Sequence, residues 1–266
     1  MGKDLLRSGK GRGMSLKKIK KIVLVAHDNE GSAKLFEKIV GSFKDVEFLL
    51  VIGESLYYKK SFFYSVTKLL REASWIFVFF RFLDLVKFKI LGETLKKKCE
   101  KRGIPCIYTK DINSPEMLDR IRAFSPDLLV SLFTMQIYKA PVIKIPRYGA
   151  ITSHPSILPK YRGLEVFFWV LANNEKETGV SVFFLNEKID AGKVFEQQSI
   201  LITEEMTVAS LYNTITDVGG ELLVKGVKDI DSDNIVYISS EGEGSYYRMP
   251  DRSSVWRFFK LGRKFF

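Results

Sequence analysis

The chain has 266 residues, enough for one large domain or a domain with an appendage, and its 46% hydrophobic and 27% charged residues exclude a globally disordered chain. Forty-two Lys and Arg against 31 Asp and Glu give a formal net charge of +11, which draws anions such as nucleic acid, phosphorylated small molecules or an anionic membrane face without choosing among them. The two cysteines, Cys99 and Cys106, form no CxxC, so neither a structural zinc site nor a thiol redox motif is expected, and both read as reduced thiols of a cytoplasmic protein.

Residues 1–20 are basic and glycine-containing but lack the apolar stretch of a secretory signal, and they read as a solvated arm, with Met14 an alternative start. Packed sequence begins at Lys21. Residues 21–26 are an apolar run of the kind buried in a parallel sheet. A helix is predicted over Asn29 to Phe43 and a second strand over Val46 to Ile52, which makes a βαβ opening. Its first turn, His27 to Ser32, contains no GxGxxG, so a dinucleotide cofactor is disfavoured.

Residues 55–90 are dense in aromatics with Lys and Arg interleaved. Charges interrupt them too often for a membrane-spanning helix, which needs about 20 mostly apolar residues. Three readings stay open: buried helices, a homodimer interface, or an amphipathic element on a membrane surface. Alternation then resumes. A helix over Thr94 to Arg102 ends at Gly103, and a strand runs from Ile104 to Tyr108. Ser114-Pro115 starts a helix that reaches about Phe124, and Asp127 to Leu132 is another buried strand. This order predicts an α/β fold: an open, mostly parallel sheet with helices on both faces and ligands at the carboxyl ends of the strands.

The most informative stretch is Gly149 to Gly163, GAITSHPSILPKYRG. Residues 151–154 read as a short strand stopped by Pro155, which puts Thr152 and His154 on one face and Ser153 on the other. The loop beyond carries hydroxyls and the cations Lys160 and Arg162. A histidine just past a strand end in an α/β sheet is either structural or catalytic, and the setting raises the catalytic reading. Downstream, Thr178 to Leu185 and Val194 to Ile200 are strands joined by a tight loop that holds Asp190 before Ala191-Gly192. An acid there is either a turn former or the partner that orients an imidazole.

The pair HPSILPKYRG and ETGVSVFFLNEKIDAGKVFEQQ resembles the folate-dependent formyltransferase family, strongly from about Pro126 to Ile202 and more weakly from Lys21 to Ser125. The resemblance implies a Rossmann-like formyltransferase fold and 10-formyltetrahydrofolate as formyl donor. It implies that His154 and Asp190 are the catalytic pair. The family's asparagine lies two residues before the histidine; this chain has Thr152 there, with one shorter hydroxyl donor in place of an amide. Gln136, Ile137 and Tyr138 match the segment that lines the family's folate pocket, and the loop with Asn186, Glu187 and Ile189 matches the segment facing the pterin edge. For Ile137 a core position competes with this role.

The expected organisation is a basic arm (1–20), a catalytic domain (21–205) with an aromatic-rich insertion (about 55–90), and a C-terminal helix and basic aromatic tail (206–266). A helix with an apolar stripe is predicted from Thr207 to Lys228, and Asp251 or Ser253 is placed to cap a last helix. The 64 residues after Ile202 are too few for the C-terminal barrel of methionyl-tRNA formyltransferases, and no N-terminal regulatory domain of the deformylase kind precedes residue 21. The expected partner is therefore a small amine, phosphorylated or carried on a sugar nucleotide, rather than tRNA. Two other classes compete: a formyltransferase-like protein that binds without turnover, suggested by Thr152, and a membrane-surface adaptor built on residues 55–90 and the tail. The tail either packs back on the domain or contacts an anionic surface.

Overall fold

The computed structural model describes residues 19–54, 73–239 and 243–266. Most of the basic arm, and residues 55–72 of the aromatic-rich stretch, lie outside the described residues.

Strands β1 (Lys21–Ala26), β2 (Glu47–Gly53), β3 (Cys106–Thr109), β4 (Leu128–Leu132), β5 (Ala150–His154), β7 (Glu177–Phe184) and β8 (Val194–Leu201) form one sheet in the order β3-β2-β1-β4-β5-β7-β8. The pairs among β1 to β5 are parallel; β5–β7 and β7–β8 are antiparallel. The mostly parallel sheet with a late antiparallel element is the architecture expected from the alternation of segments.

Side chains alternate between the two faces of the central strands and so build two cores. Ile22, Leu24 and Leu50 pack on one side, with α1 (Glu30–Ser42) and α7 (Val208–Asp231) supplying Leu35, Phe36, Leu211 and Leu223. Val23, Val25 and Val51 pack on the other with Met117, Leu118 and Ile121 of α4 (Pro115–Phe124). Local chemistry sets the helix ends. Asn29 caps α1 through Ser32 N, Ser114 caps α4 with Pro115 in its first turn, and a Thr207–Ser210 capping box starts α7. Helix α3 (Leu95–Arg102) ends on Gly103 in the left-handed conformation. Cys99 is buried on α3 and Cys106 is half-buried on β3; both are free.

Elements that drew no prediction also appear: α5 (Ala140–Ile143), α6 (Val166–Ala172) and a two-residue strand β9 (Tyr246–Tyr247), which pairs in parallel with β6 (Arg162–Gly163). Helix α2 (Trp75–Leu91) is the described part of the aromatic-rich stretch. The tail joins the main core. Phe258 of α8 (Arg252–Lys260) is fully buried and stacks on Phe168 at 5.0 Å, and Phe265 is buried beside it. Arg263 donates to the Thr203 carbonyl at 2.7 Å, and the Lys264 and Phe265 carbonyls accept from the first turn of α7. Residues after 206 thus share one hydrophobic core with the sheet.

Candidate active site

Strand β5 runs parallel to β4, so its last residue, His154, stands at the carboxyl edge of the sheet. Pro155 then turns the chain away. The ring is buried, and both nitrogens have acceptors: Nε2 lies 2.7 Å from the Tyr161 carbonyl and Nδ1 lies 3.5 Å from Asp190 Oδ1. A ring with a proton on each nitrogen satisfies both.

Two loops bring these partners in. The loop after β5 is pinned by Ser181 of β7, which accepts from Leu158 N at 3.0 Å and donates to the Ser156 carbonyl at 2.6 Å. Ser156 donates to the Lys160 carbonyl at 2.7 Å. Tyr161 is fixed from the tail: its N–H donates to Ser245 Oγ at 2.8 Å, its ring stacks on Tyr247 at 4.8 Å, and its hydroxyl donates to Glu175 at 2.6 Å. Burial, and then Glu175, push the Tyr161 phenol above its ordinary range, so it stays a donor. The second loop joins β7 to β8. Asn186 braces it by donating to the Ala191 carbonyl and accepting from Lys188 N, both at 2.9 Å. Gly192 lets it fold tightly, since a Cβ there would fall 1.7 Å from the Phe184 carbonyl oxygen. Asp190 then reaches across both loops, accepting from Gly163 N at 2.9 Å with its second oxygen.

The backbone is strained where these loops meet. Tyr161, Glu165 and Asp190 have φ of 57°, 54° and 48°, and Gly163 has φ of 102°. Left-handed conformations of non-glycine residues cost on the order of 1–3 kcal/mol each and gather at functional sites.

Thr152 lies two residues before His154, but its hydroxyl donates to the Ser131 carbonyl of β4 at 3.1 Å. Its one proton is therefore held by the sheet. Gln136 is likewise drawn inward: its amide nitrogen donates to the Glu54 carbonyl and its oxygen accepts from Ile112 N at 3.2 Å, which ties the ends of β2 and β3 to the segment after β4. The Tyr138 side chain is buried among Val23, Val25 and Leu129, and burial raises its phenol. Ile137 and Ile189 are half exposed, on neighbouring loops that Glu187 links by accepting from Ala140 N at 3.2 Å. Asn113 fixes the first of these loops, donating to the Ile137 carbonyl at 2.8 Å and accepting from Lys139 N at 2.9 Å. His154, Asp190 and Thr152 thus share one end of the sheet, and Ile137, Asn186, Glu187 and Ile189 share the neighbouring loops, whereas Gln136 and Tyr138 brace the fold beneath.

The family model for formyl transferase matches residues 87–227, which span β3 to β8, the His154–Asp190 pair and most of α7. The chain belongs to the formyltransferase family. Among curated relatives, the chain is 39% identical over 132 residues to the bifunctional polymyxin resistance protein ArnA of Wigglesworthia glossinidia brevipalpis, covering 50% of this chain and 20% of that one. It is 31% identical over 165 residues to the methionyl-tRNA formyltransferase of Clostridium botulinum, covering 62% of this chain and 53% of that one. The chain spans about half the length of that formyltransferase, and less of the bifunctional protein. Among solved structures, it superposes with a TM-score of 0.58 at 19% identity on the N-formyltransferase of Helicobacter canadensis in complex with folinic acid and dTDP-3-aminofucose, covering 89% of this chain and 72% of that one. At that identity the likeness is one of fold.

Sequence reasoning missed Tyr161 and Ser245. Tyr161 acts through its carbonyl, which every residue has, and Ser245 lies 91 residues from His154 with no motif of its own. A cavity of about 660 Å³ lies elsewhere, between α1, α2 and α3. Its lysines and carboxylates are largely paired with one another, as in Lys34–Glu30 and Lys98–Glu37.

Proposed function

We propose that this chain transfers a formyl group from 10-formyltetrahydrofolate to a primary amine. The observation that carries the reading is His154, held at the carboxyl edge of the sheet between Asp190 Oδ1 and the Tyr161 carbonyl. The half-exposed Ile137 and Ile189 and the main chain of residues 186–189 offer an apolar wall and polar backbone groups, which suit a flat heteroaromatic ring.

The donor supplies an activated formyl carbon. The amine nitrogen forms a bond to that carbon, the carbon–nitrogen bond to the donor breaks, and the proton lost by the amine ends on the released donor nitrogen. Asp190 orients the imidazole and balances its charge. His154 stabilises the negative charge that develops on the formyl oxygen, with Nε2 exchanging the Tyr161 carbonyl for that oxygen when substrate is bound. Thr152 contributes little as a donor while its proton is on Ser131.

The acceptor is read as a small amine on a phosphate-bearing carrier such as a sugar nucleotide. The +11 charge favours an anion, and a structural neighbour holds dTDP-3-aminofucose. The test is incubation of the full chain with 10-formyltetrahydrofolate and pooled amines, including amino-sugar nucleotides and initiator tRNA, read by mass spectrometry. Formylated product that disappears in His154→Ala is expected; product formation unchanged in a folded His154→Ala preparation refutes the assignment. The committed Thr152 hydroxyl favours one second reading, binding without turnover. Calorimetric titration that shows folate-analogue binding in a preparation that forms no product would establish it.

A further inference from the structure

We propose that the outward face of α2, together with α8 and the C-terminal residues, docks this protein on an anionic lipid surface. Helix α2 leaves much of its apolar surface in solvent. Phe77 and Phe88 are buried against the domain, and the half-exposed pair Arg81 and Asp84 at 2.9 Å lies between them along the helix, with Arg81 reaching Glu165 at 3.6 Å. Its outer side carries Trp75, Phe79, Phe82, Leu83 and Ile90. Those positions follow helical spacing and fall in one stripe along the axis. The stripe is well exposed, with Trp75 61%, Phe82 57% and Ile90 73% accessible.

The apolar face continues onto α8. Phe80 is the link: its ring lies 5.8 Å from Phe79, 6.5 Å from Phe259 and 5.8 Å from Phe266. Phe259, Phe266 and Trp256 are themselves exposed. A contiguous exposed patch of this kind marks an interaction site, since isolated monomers rarely leave one uncovered.

Charge selects the occupant. Exposed cations accompany the patch: Arg252 and Lys260 on α8, and Lys264 beyond it. None of them forms an ion pair with another described residue. Lys260 instead sits over the Trp256 ring at 5.0 Å. The carboxylates nearby have partners: Asp84 pairs with Arg81, and Asp251 caps α8 through Ser254 N. A two-fold contact with a second copy would bring these cations against their own kind, whereas anionic headgroups neutralise them. Tryptophan and phenylalanine beside lysine and arginine are the side chains that settle at the headgroup boundary. Among the described residues no helix is long and apolar enough to cross a membrane, so contact would be from one side.

The test is co-sedimentation of the full chain with phosphatidylcholine vesicles, with and without phosphatidylglycerol, at low and raised salt, alongside light-scattering measurement of molar mass. Binding that requires phosphatidylglycerol and weakens with salt is expected. The double variant Phe79→Glu/Phe82→Glu should lose it, and Arg252→Glu and Lys260→Glu should each weaken it by about fivefold or more, the worth of one cation near such a surface. Far-UV circular dichroism checks folding; if the double phenylalanine variant fails to fold, the two charge variants on α8 decide. Absence of vesicle binding, or equal binding to neutral vesicles, overturns the proposal. A wild-type dimer that does not bind lipid and becomes monomeric in Phe79→Glu/Phe82→Glu overturns it too, and gives the face to a second copy.

Discussion

Asp190→Asn isolates the contact on which the site depends. The carboxylate accepts at both oxygens, from Gly163 N at 2.9 Å and toward His154 Nδ1 at 3.5 Å. A carboxamide of the same shape has one acceptor and one donor. With its NH2 toward Gly163 the amide sets N–H against N–H; with its NH2 toward His154 it is satisfied only by an unprotonated Nδ1, so the ring keeps one proton, on Nε2. The first orientation leaves Gly163 N without its acceptor, and the second keeps every hydrogen bond but only with a neutral ring. With the Asp190 side chain 19% exposed, water relieves little of the first case, whose unsatisfied buried donor sets an upper bound of about 1–3 kcal/mol on the loss of stability. Thermal unfolding should register a fall in Tm of about 2–4 °C per kcal/mol for a chain of this size. Turnover should suffer more, by about a hundredfold to a thousandfold, because the orientation and charge of the imidazole that faces the formyl oxygen are lost together. His154→Ala should be at least as severe, and the double variant scarcely worse than either, since the two residues act as one unit. Formyl-transfer rates for the four proteins, measured on one acceptor, test this. Wild-type turnover in folded Asp190→Asn, or additive losses in the double variant, would refute the pairing.

Thr152→Ala removes the donor to the Ser131 carbonyl, and urea unfolding should show a loss of about 1 kcal/mol with turnover changed by less than about tenfold. Thr152→Asn brings back the family's amide, and its turnover should equal or exceed that of the native chain in the same assay. Phe258→Ala empties a fully buried site against Phe168, and chemical denaturation should show about 3–5 kcal/mol lost; a loss below about 1 kcal/mol would mean the tail is not part of the core. Burial raises the Glu37 carboxyl, but the adjacent Arg102 and Lys98 more than offset this and hold it below the ordinary carboxylate range. Its stabilisation is present above the unfolded value of about 4.3 and is lost as pH falls through the lowered folded value. Glu37→Gln should therefore weaken the fall in unfolding free energy on the acid side, measured by urea titration between about pH 5 and pH 2.

The local grammar of the chain was sufficient for most of the sheet. Apolar runs in the interior strands, Ser114 as a cap, Pro115 in a first turn and Gly103 past a last one each fix their element within a few residues, because backbone hydrogen bonding and burial act at short range. The motif around His154 and the loop around Asp190 fixed the family and the residues to pair, although 36 positions separate them. Periodicity could not say which way α2 faces. Its apolar residues outnumber what one buried stripe needs, and the packing of Phe77 against Phe168 and Phe265 settles which side turns in. Nor could it join the tail to the site, where Ser245 holds Tyr161 and Tyr161 holds His154. On Tyr161 both contacts use backbone groups common to all sequences, and Ser245 reaches it from 84 residues away. Sequence therefore determined the sheet and which histidine and aspartate meet at its edge, through interactions that are local or carried by a motif. Tertiary packing decided which protons are free at the site and which face meets the solvent, because both depend on acceptors and charges brought together from distant parts of the chain.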